Sequence, residues 1–302
     1  MSTKNEPQYI NLAAFQKHFP QLTALDFISA GGYKLVYKAL IAGNVEALKA
    51  IKLPPQVDDE VGRAFRQENI RRVNREIEAL AKCDSPCLVK LGSIEKTEMT
   101  MEGHDWIIYS EEFLDGPDLW KLIRTSDKPS ATEIKTLCVS LLLAIKEVWR
   151  NNYIHRDIKP CNVIKTNIPE RPFVLLDLGI AFAVNDTAVT ANPMDIPATR
   201  RYIAPEMLVP GFRTSIDYRA DLYTTALTIF EYAAKQHPLA ENDDDPLLTL
   251  SRALHQPPKL LKPLRPDLSP DFCQLIDQLL KKKPALRPSN IDSLIRRIQE
   301  GA

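Results

Sequence analysis

The residue types best suited to chemistry lie in one octet near the middle of the chain. It runs from His155 to Asn162 and reads H-R-D-I-K-P-C-N, and a D-L-G triplet begins at Asp177. Asp157 could receive a proton, and Lys159 could neutralise a phosphate as it moves. Asn162 and Asp177 could bind Mg²⁺ through oxygen, as this hard cation requires. These residue types are those that phosphoryl transfer from a metal nucleotide needs.

The bulk composition is that of an ordinary globular protein, large enough for one large domain or two lobes. Of 302 residues, 44% are apolar and 26% are charged, and 39 basic residues balance 39 acidic ones. This balance argues against a nucleic-acid partner. No apolar run approaches the roughly 20 residues that span a bilayer, and the N-terminus has no apolar core of a secretory signal. Five widely spread cysteines predict reduced thiols and a cytoplasmic location.

The first part of the chain is predicted to be rich in strands. Runs of apolar residues predict strands over residues 25–28, 35–41, 47–53, 88–94 and 106–109. A helix is expected over residues 61–82, where apolar residues recur at helical spacing. The polar stretch 95–105 is interpreted as a long hairpin loop.

Beyond residue 119 the pattern changes to helices. Ser130 and Glu133 form a capping-box pattern ahead of one apolar helix. Ser269 and Pro270 begin another, with proline in its favoured first turn. A mostly strand half is therefore expected to join a mostly helical half near residues 112–119.

The octet and the triplet resemble the catalytic loop and the D-F-G metal loop of eukaryotic-type (Hanks-type) serine/threonine protein kinases. The stretch from Ala198 to Glu206 resembles their G-T-x-x-Y-x-A-P-E segment, with alanine in place of the first glycine. The resemblance covers roughly residues 25–299. It implies an α+β, bilobal protein-kinase-like fold, with a small, mostly antiparallel β N-lobe carrying one main helix and a larger, mostly α-helical C-lobe. The expected boundaries are an extension over 1–24 and a kinase domain over 25–302, with its N-lobe over about 25–112, a hinge over about 112–118 and its C-lobe over about 119–302.

In this family a strand lysine binds the α- and β-phosphates and a helix glutamate holds that lysine. The stretch Lys49-Ala50-Ile51-Lys52 resembles the V-A-I-K motif, which assigns the role to Lys52. Its expected partner is Glu76 on the predicted helix. Glu78 is a rival, but Leu80 falls on the same helix face as Glu76 and can pack inward.

The resemblance also implies a nucleotide site. The family's glycine loop corresponds to the stretch from Ile28 to Val36, where Gly31 alone matches the glycine pattern. Ser29 and Lys34 replace the outer glycines, and Lys34 is expected to add a cationic contact to the phosphates. The expected nucleotide-binding residues are Ile28, Gly31, Gly32, Lys34, Val36, Ala50, Lys52, Glu112, Leu114, Asp118, Asn162, Ile164 and Asp177.

Within that set each residue has an expected task. Val36, Ala50 and Ile164 would sandwich the adenine ring. The linker backbone near Glu112 and Leu114 would bind the adenine edge, and a shift of one residue is open because two glutamates stand where the family has one. Asp118 would reach the ribose.

The resemblance implies that Asp157 aligns the substrate hydroxyl and accepts its proton, while Lys159 neutralises the γ-phosphate. Asn162 and Asp177 would hold Mg²⁺, with Mn²⁺ as an alternative ion. The catalytic set is therefore Asp157, Lys159, Lys52 and Glu76, with ATP and Mg²⁺ as cofactors.

Three later residues have expected structural roles. Glu206 would pair with Arg287, and Asp221 would anchor the catalytic loop from the start of a buried helix. Thr187 and Thr190 lie between the metal loop and the A-P-E segment and are candidates for autophosphorylation, although ordinary loop threonines are an equal alternative.

The implied function is a serine/threonine protein kinase that transfers the γ-phosphate of Mg-ATP to protein substrates. Two alternatives remain: a pseudokinase scaffold, suggested by the eroded glycine loop, and a small-molecule kinase of the same fold. Lys159 and the A-P-E segment favour protein substrates. The expected partners are ATP and proteins with Ser/Thr acceptors, without nucleic acid and without membrane insertion, and the sequence carries no signal for an oligomeric state.

Overall fold

Strands and helices are segregated along the chain. The computed structural model describes residues 9–31, 33–178, 182–183, 201–212, 215–241 and 246–301. Two compact units are present: the first comprises residues 1–81 and 89–114, and the second comprises residues 82–88 and 115–302. Within the described part, no helix is both long and apolar enough to cross a bilayer.

The first unit is built on an antiparallel sheet with the strand order β1-β2-β3-β5-β4. Its strands are β1 (Leu22–Gly31), β2 (Lys34–Ile41), β3 (Asn44–Lys52), β4 (Thr97–Met101) and β5 (His104–Glu112). A short helix α1 (Leu12–Gln16) precedes the sheet, and a long helix α2 (Glu60–Lys82) follows β3. Gly43 and Gly103 lie at hairpin turns with φ of 86° and 76°, a conformation that glycine adopts without strain.

The two faces of β3 pack against different partners. Leu48 and Ala50 are buried in an apolar cluster that includes Phe15 of α1. Ile51 belongs to the other face, where Val73 of α2 packs. Because side chains alternate along a strand, every odd-numbered residue of β3 points toward the α2 side.

The stretch predicted as a polar hairpin loop contains a strand instead. Residues 97–101 form β4, which pairs with β5 from Thr97 opposite Ile108 to Met101 opposite His104. Met101 is buried and Met99 packs against the same apolar cluster, so the alternating pattern T-E-M-T-M gives this strand one core-facing side. The predicted strand 88–94 is reduced to isolated bridges at Leu88 and Leu91.

The second unit is mostly helical, as predicted. Its helices are α3 (Leu119–Ile123), α4 (Ala131–Arg150), α5 (Arg219–Ala234), α6 (Pro246–His255), α7 (Pro270–Leu279) and α8 (Ile291–Gly301). Short strand pairs join β6 (Tyr153–Ile154) to β9 (Phe182–Ala183) and β7 (Val163–Lys165) to β8 (Phe173–Leu175). Helix α5 is buried along almost its whole length, which is typical of a helix at the centre of a core.

The predicted helix starts are confirmed by their caps. Ser130 Oγ accepts a hydrogen bond from the Glu133 amide at 3.1 Å, and Ser269 Oγ accepts one from the Phe272 amide at 3.3 Å. Each side-chain oxygen satisfies an amide that has no partner inside its own helix. The predicted helix over 61–82 is likewise confirmed as α2.

The predicted pair of Glu206 and Arg287 is also present. The guanidinium of Arg287 donates to both carboxylate oxygens of Glu206, with N–O distances of 2.5 and 2.8 Å. The Arg287 side chain has 0% of its surface exposed. A fork-to-fork pair of this kind fixes the Pro205–Leu208 turn against the base of the helical unit.

Candidate active site

In the first unit, one buried lysine is held by two carboxylates. Lys49 Nζ lies 3.2 Å from Oε1 of Glu76 on α2 and also contacts the carboxylate of Glu111 on β5. The hydroxyl of Tyr109 donates to the same Glu76 oxygen at 2.9 Å. Lys49, Glu76 and Glu111 are 5%, 3% and 2% exposed, so these charges interact in a poorly solvated environment.

The structure corrects the assignment of the strand lysine: the partner of Glu76 is Lys49, not Lys52. The two lysines are three residues apart, an odd number, so they point to opposite faces of β3. Lys52 is half-buried, and its Nζ lies 5.9 Å from the ring centroid of Trp106. The choice of Glu76 over Glu78 is confirmed, and Leu80 is buried as expected.

The same alternation contradicts the assignment of Ala50 to an adenine-facing position. Ala50 is fully buried in the apolar cluster on the face away from α2. Ala47 and Glu111 are opposite one another in the β3–β5 register, as are Lys49 and Tyr109. Directly opposed residues share a face, so Ala47 belongs on the Lys49 side. Alanine precedes a lysine by two residues both at Ala47 and at Ala50, so this pattern does not distinguish the two registers.

The predicted glycine loop forms the β1–β2 hairpin. Gly31 is paired with Lys34, and Ser29 with Val36. Val36 is in turn opposite Lys49 in the β2–β3 register, which places it on the Lys49 side of the sheet. Ile28 is 47% exposed. Gly32 lies outside the described residues.

The predicted linker residues have distinct local roles. Glu112 is bonded to Lys90 twice: its amide donates to the Lys90 carbonyl and its carboxylate accepts from the Lys90 amide, both at 2.9 Å. Leu114 is half-buried at the end of the first unit. In the second unit, Asp118 caps α3 by accepting from the Lys121 amide at 2.7 Å, and it forms a bridge with Ile164.

The octet brings its polar side chains together in the second unit. Lys159 Nζ donates to Asp157 Oδ2 at 2.7 Å. Asn162 Nδ2 donates to the Asp157 carbonyl at 2.9 Å and to Oδ2 at 3.1 Å. Asp157 Oδ1 is buried and has no hydrogen-bond partner among the described residues. One carboxylate oxygen is therefore held in place while the other is available to a ligand.

A buried carboxylate on α5 holds this loop from below. Asp221 accepts hydrogen bonds from the amides of both His155 and Arg156 at 2.8 Å, as predicted for an anchoring residue. These bonds support Arg156 in a left-handed conformation with φ of 68°. His155 is fully buried, and its Nε2 lies 3.1 Å from the Leu176 carbonyl.

Burial changes the protonation of these groups. Desolvation raises the pKa of Asp157 to about 6, with the Asp177 carboxylate adding to the rise and Lys159 and Asn162 opposing it. Desolvation also raises the pKa of Asp221 to about 7 and lowers that of His155 to about 4. A neutral His155 has a structural role, whereas Asp157 changes its charge close to physiological pH.

The second acidic residue is brought to the loop by the backbone. The Leu176 amide donates to the Asn162 carbonyl at 2.7 Å, and Asp177 follows with φ of 62°. Leu178, which replaces the family's phenylalanine, is buried. Gly179, Thr187, Thr190 and Thr199 lie outside the described residues.

These oxygen donors fit a hard divalent cation. Since Asn162 Nδ2 is used by Asp157, the amide oxygen Oδ1, 3.8 Å from Cys161 Sγ, is left as its ligand atom. Asp177 supplies carboxylate oxygens. An amide oxygen and a carboxylate are the donor set that Mg²⁺ accepts, so the residues present fit the ion.

A strand unit that buries a lysine against a helix glutamate, and a helical unit that carries an H-R-D loop, define a protein kinase domain. The protein kinase domain family model matches residues 23–298, and the chain belongs to this family. The kinase domain of PknI from Mycobacterium tuberculosis, in a mutant crystal structure, has the same fold, with a TM-score of 0.63 at 22% identity, covering 93% of this chain and 96% of that one.

Protein kinases from several organisms are similar to this chain over part of their own length. Serine/threonine-protein kinase PknF of Mycobacterium tuberculosis is 29% identical over 90% of this chain and 53% of its own length. Serine/threonine-protein kinase 4 homolog A of Dictyostelium discoideum is 26% identical over 96% of this chain and 57% of its own. Dual specificity mitogen-activated protein kinase kinase mek-1 of Caenorhabditis elegans is 31% identical over 58% of this chain and 48% of its own. The chain spans between 32% and 57% of the length of the relatives it matches.

Proposed function

We propose that this chain is a serine/threonine protein kinase that transfers the γ-phosphate of Mg-ATP to hydroxyl groups of protein substrates. The observation that carries the proposal is the geometry of Asp157, with one carboxylate oxygen held by Lys159 and Asn162 and the other buried without a partner. Family membership and the serine/threonine kinases among the relatives support it.

Each residue of the loop has a task in this reaction. Asp157 orients the substrate hydroxyl through Oδ1 and accepts its proton there. Lys159 holds the carboxylate by its ammonium group and carries the positive charge that offsets charge developing on the transferred group. Asn162 and Asp177 would hold Mg²⁺, which supplies electrostatic stabilisation of the phosphates when bound.

We assign the phosphate-binding lysine to Lys49 rather than Lys52. Lys49 has the helix-glutamate partner that this role requires, and Glu76 is itself fixed by Tyr109. Val36 and Ala47, on the same face of the sheet, are the apolar residues we assign to the adenine ring in this unit, with Ile164 as the candidate from the second unit. Gly31, Lys34, Glu112, Leu114 and Asp118 remain proposed nucleotide contacts.

Transfer of radiolabelled phosphate from ATP to generic protein acceptors tests the proposal. Wild type should label serine and threonine, and Asp157→Asn should reduce the rate at least about 100-fold, because it removes the proton acceptor but keeps the side-chain shape. Arg296→Gln, an exposed change on α8, is the matched control and should leave labelling unchanged.

The alternatives give different results in the same assay. ATP binding without labelling of any acceptor would indicate a pseudokinase. If small-molecule acceptors are added to the same assay, labelling of these molecules but not of the proteins would indicate a small-molecule kinase. Autophosphorylation at Thr187 or Thr190 would appear as a mass increase of wild type that Asp157→Asn lacks. We further propose a cytoplasmic location, supported by five cysteines that are all free thiols.

A further inference from the structure

A polar cavity of about 660 Å³ lies in the second unit, and none of its described lining residues is assigned to the nucleotide. It is bordered by α3, by the C-terminal end of α5 and by the chain that follows α5. Its walls carry four cationic side chains, Arg124, Arg201, Lys235 and Lys259. Two carboxylates, Glu231 and Glu241, lie among them, so the described walls have an excess of two positive charges.

The two carboxylates are already engaged by other groups. Glu231 is 4% exposed, accepts a hydrogen bond from the Tyr202 hydroxyl, and lies 3.9 Å from Arg201 Nη2. Glu241 is largely exposed and lies 4.0 Å from Arg252. Glu231 also interacts electrostatically with Arg124, so this one carboxylate is shared between the two arginines and two cations remain in excess.

The cations are held in place before any ligand arrives. The Arg124 guanidinium lies 3.4 Å from the ring centroid of Trp120, and its Nη1 donates to the Trp120 carbonyl at 3.3 Å. Lys235 Nζ donates to the Leu122 carbonyl at 2.6 Å, and Lys259 Nζ lies 3.3 Å from Gln236 Oε1. Fixed donors lose less entropy when they bind an anion than mobile ones do.

Two buried side-chain nitrogens of the wall residues, Arg201 Nε and His237 Nε2, have no hydrogen-bond partner among the described residues. A buried donor without an acceptor is costly, and a ligand oxygen would remove that cost. Together with the excess positive charge, it indicates that the missing partner is an anion.

The cavity is close to the reaction loop. Helix α3, which borders the cavity, packs against residues 160–162 of the octet, directly after Lys159 in the chain. A peptide with its hydroxyl at Asp157 could therefore place a neighbouring side chain at the cavity.

We propose that this cavity binds an anionic side chain of the protein substrate, a carboxylate or a phosphate, next to the residue that is phosphorylated. The proposal rests on the proposed kinase function and names its substrate class. Guanidinium groups bind planar or tetrahedral oxyanions through paired hydrogen bonds, and Arg124 and Arg201 supply them here.

A binding measurement decides the proposal without any turnover. Fluorescein-labelled peptides share one acceptor serine and carry phosphoserine, aspartate, alanine or arginine at the flanking positions. By fluorescence anisotropy, wild type should bind the phosphoserine and aspartate peptides at least about tenfold more tightly than the alanine peptide, and added salt should reduce the difference. Arg124→Gln and Lys259→Gln should each remove most of the preference, while Arg296→Gln should keep it.

Transfer kinetics separate this inference from the kinase assignment. With the aspartate peptide, Arg124→Gln should raise KM about tenfold and leave kcat nearly unchanged, and with the alanine peptide neither constant should change. Equal affinity for the anionic and alanine peptides, a preference for arginine, or an anionic preference that survives both substitutions would overturn the inference. If wild type prefers the anionic peptides, the variants lose this preference and no phosphate is transferred, the anion-binding site is supported and the kinase function is refuted.

Discussion

Replacing Lys49 or Lys52 by methionine should have very different consequences. Both lysines lie on β3, but Lys49 is 5% exposed between two carboxylates, whereas Lys52 is half-buried beside Trp106. Methionine keeps most of the side-chain length and removes the charge. The two variants therefore make the same chemical change, but only Lys49→Met leaves buried carboxylates without their cation.

The magnitude follows from the buried ion pair. At the observed separation of 3.2 Å, the attraction between Lys49 and Glu76 is about 5 kcal/mol with an effective dielectric constant of about 20. Removing one partner of such a pair typically costs about 3–5 kcal/mol, because the other charge stays buried. With a shift of about 2–4 °C per kcal/mol for a domain of this size, Lys49→Met should melt roughly 6–20 °C below wild type. Lys52→Met should stay within about 0.5 kcal/mol of wild type.

Thermal unfolding and phosphate transfer together test this reasoning. Lys49→Met should also reduce kcat/KM for ATP at least about 100-fold, as expected when a charged donor to the phosphates is lost. Lys52→Met should retain activity within about threefold. An inactive Lys52→Met protein beside an active, stable Lys49→Met protein would refute the register and restore the original assignment.

Three further outcomes are expected. Arg287→Met should lower the free energy of unfolding by about 3–5 kcal/mol, and adding Glu206→Gln should recover part of it in urea titrations; an additive loss would contradict the buried pair. Burial lowers the pKa of His237 from 6.5 to about 3, so only the unfolded chain takes up this proton as the pH falls. Nδ1 of His237 accepts hydrogen bonds from the Leu239 and Ala240 amides, and the oxygen of asparagine can replace it in His237→Asn. The free energy of unfolding of wild type should therefore fall by about 2 kcal/mol between pH 7 and pH 5 relative to that variant, and parallel stability curves would argue against this reasoning. Glu111→Gln should tighten ATP binding about threefold to tenfold in calorimetry, because Lys49 then interacts with one carboxylate fewer and is more available to the phosphates. The same gain in a Lys49→Met background would show that Lys49 is not the cause.

Local patterns in the sequence were enough to predict the reaction loop and several helices of the second unit. The octet, the capping serines and the anchoring role of Asp221 depend on residues a few positions apart or on a well-defined motif. The structure confirms the caps and the hydrogen bonds that Asp221 accepts from the loop. Helical periodicity likewise predicted α2 and the inward side of Leu80.

The first unit shows what short patterns leave undetermined. The K-A-I-K stretch offers two lysines on opposite faces of one strand, and its sequence does not say which face α2 covers. The outward-pointing residues of β4 are polar and give its sequence the composition of a loop, although the core-facing Met99 and Met101 alternate with these polar residues. Glu111 was missed because its contact with Lys49 joins strands that are far apart in the chain.

The basic cavity had no local signal. Its four cations, Arg124, Arg201, Lys235 and Lys259, are distributed over more than a hundred residues and only tertiary packing gathers them. No charge cluster in the sequence therefore indicated it.

The hydrogen bonds that Asp221 accepts determine how the reaction loop can fluctuate. Because one carboxylate accepts hydrogen bonds from both the His155 and Arg156 amides, neither peptide group can move away without leaving a buried carboxylate oxygen without its donor at the start of α5. Local opening of this loop thus requires disruption of the helix core, whose rearrangement is slow compared with ordinary loop motion. The position of Asp157 is consequently fixed on the timescale on which a substrate binds, and other segments of the chain must adjust to different acceptors.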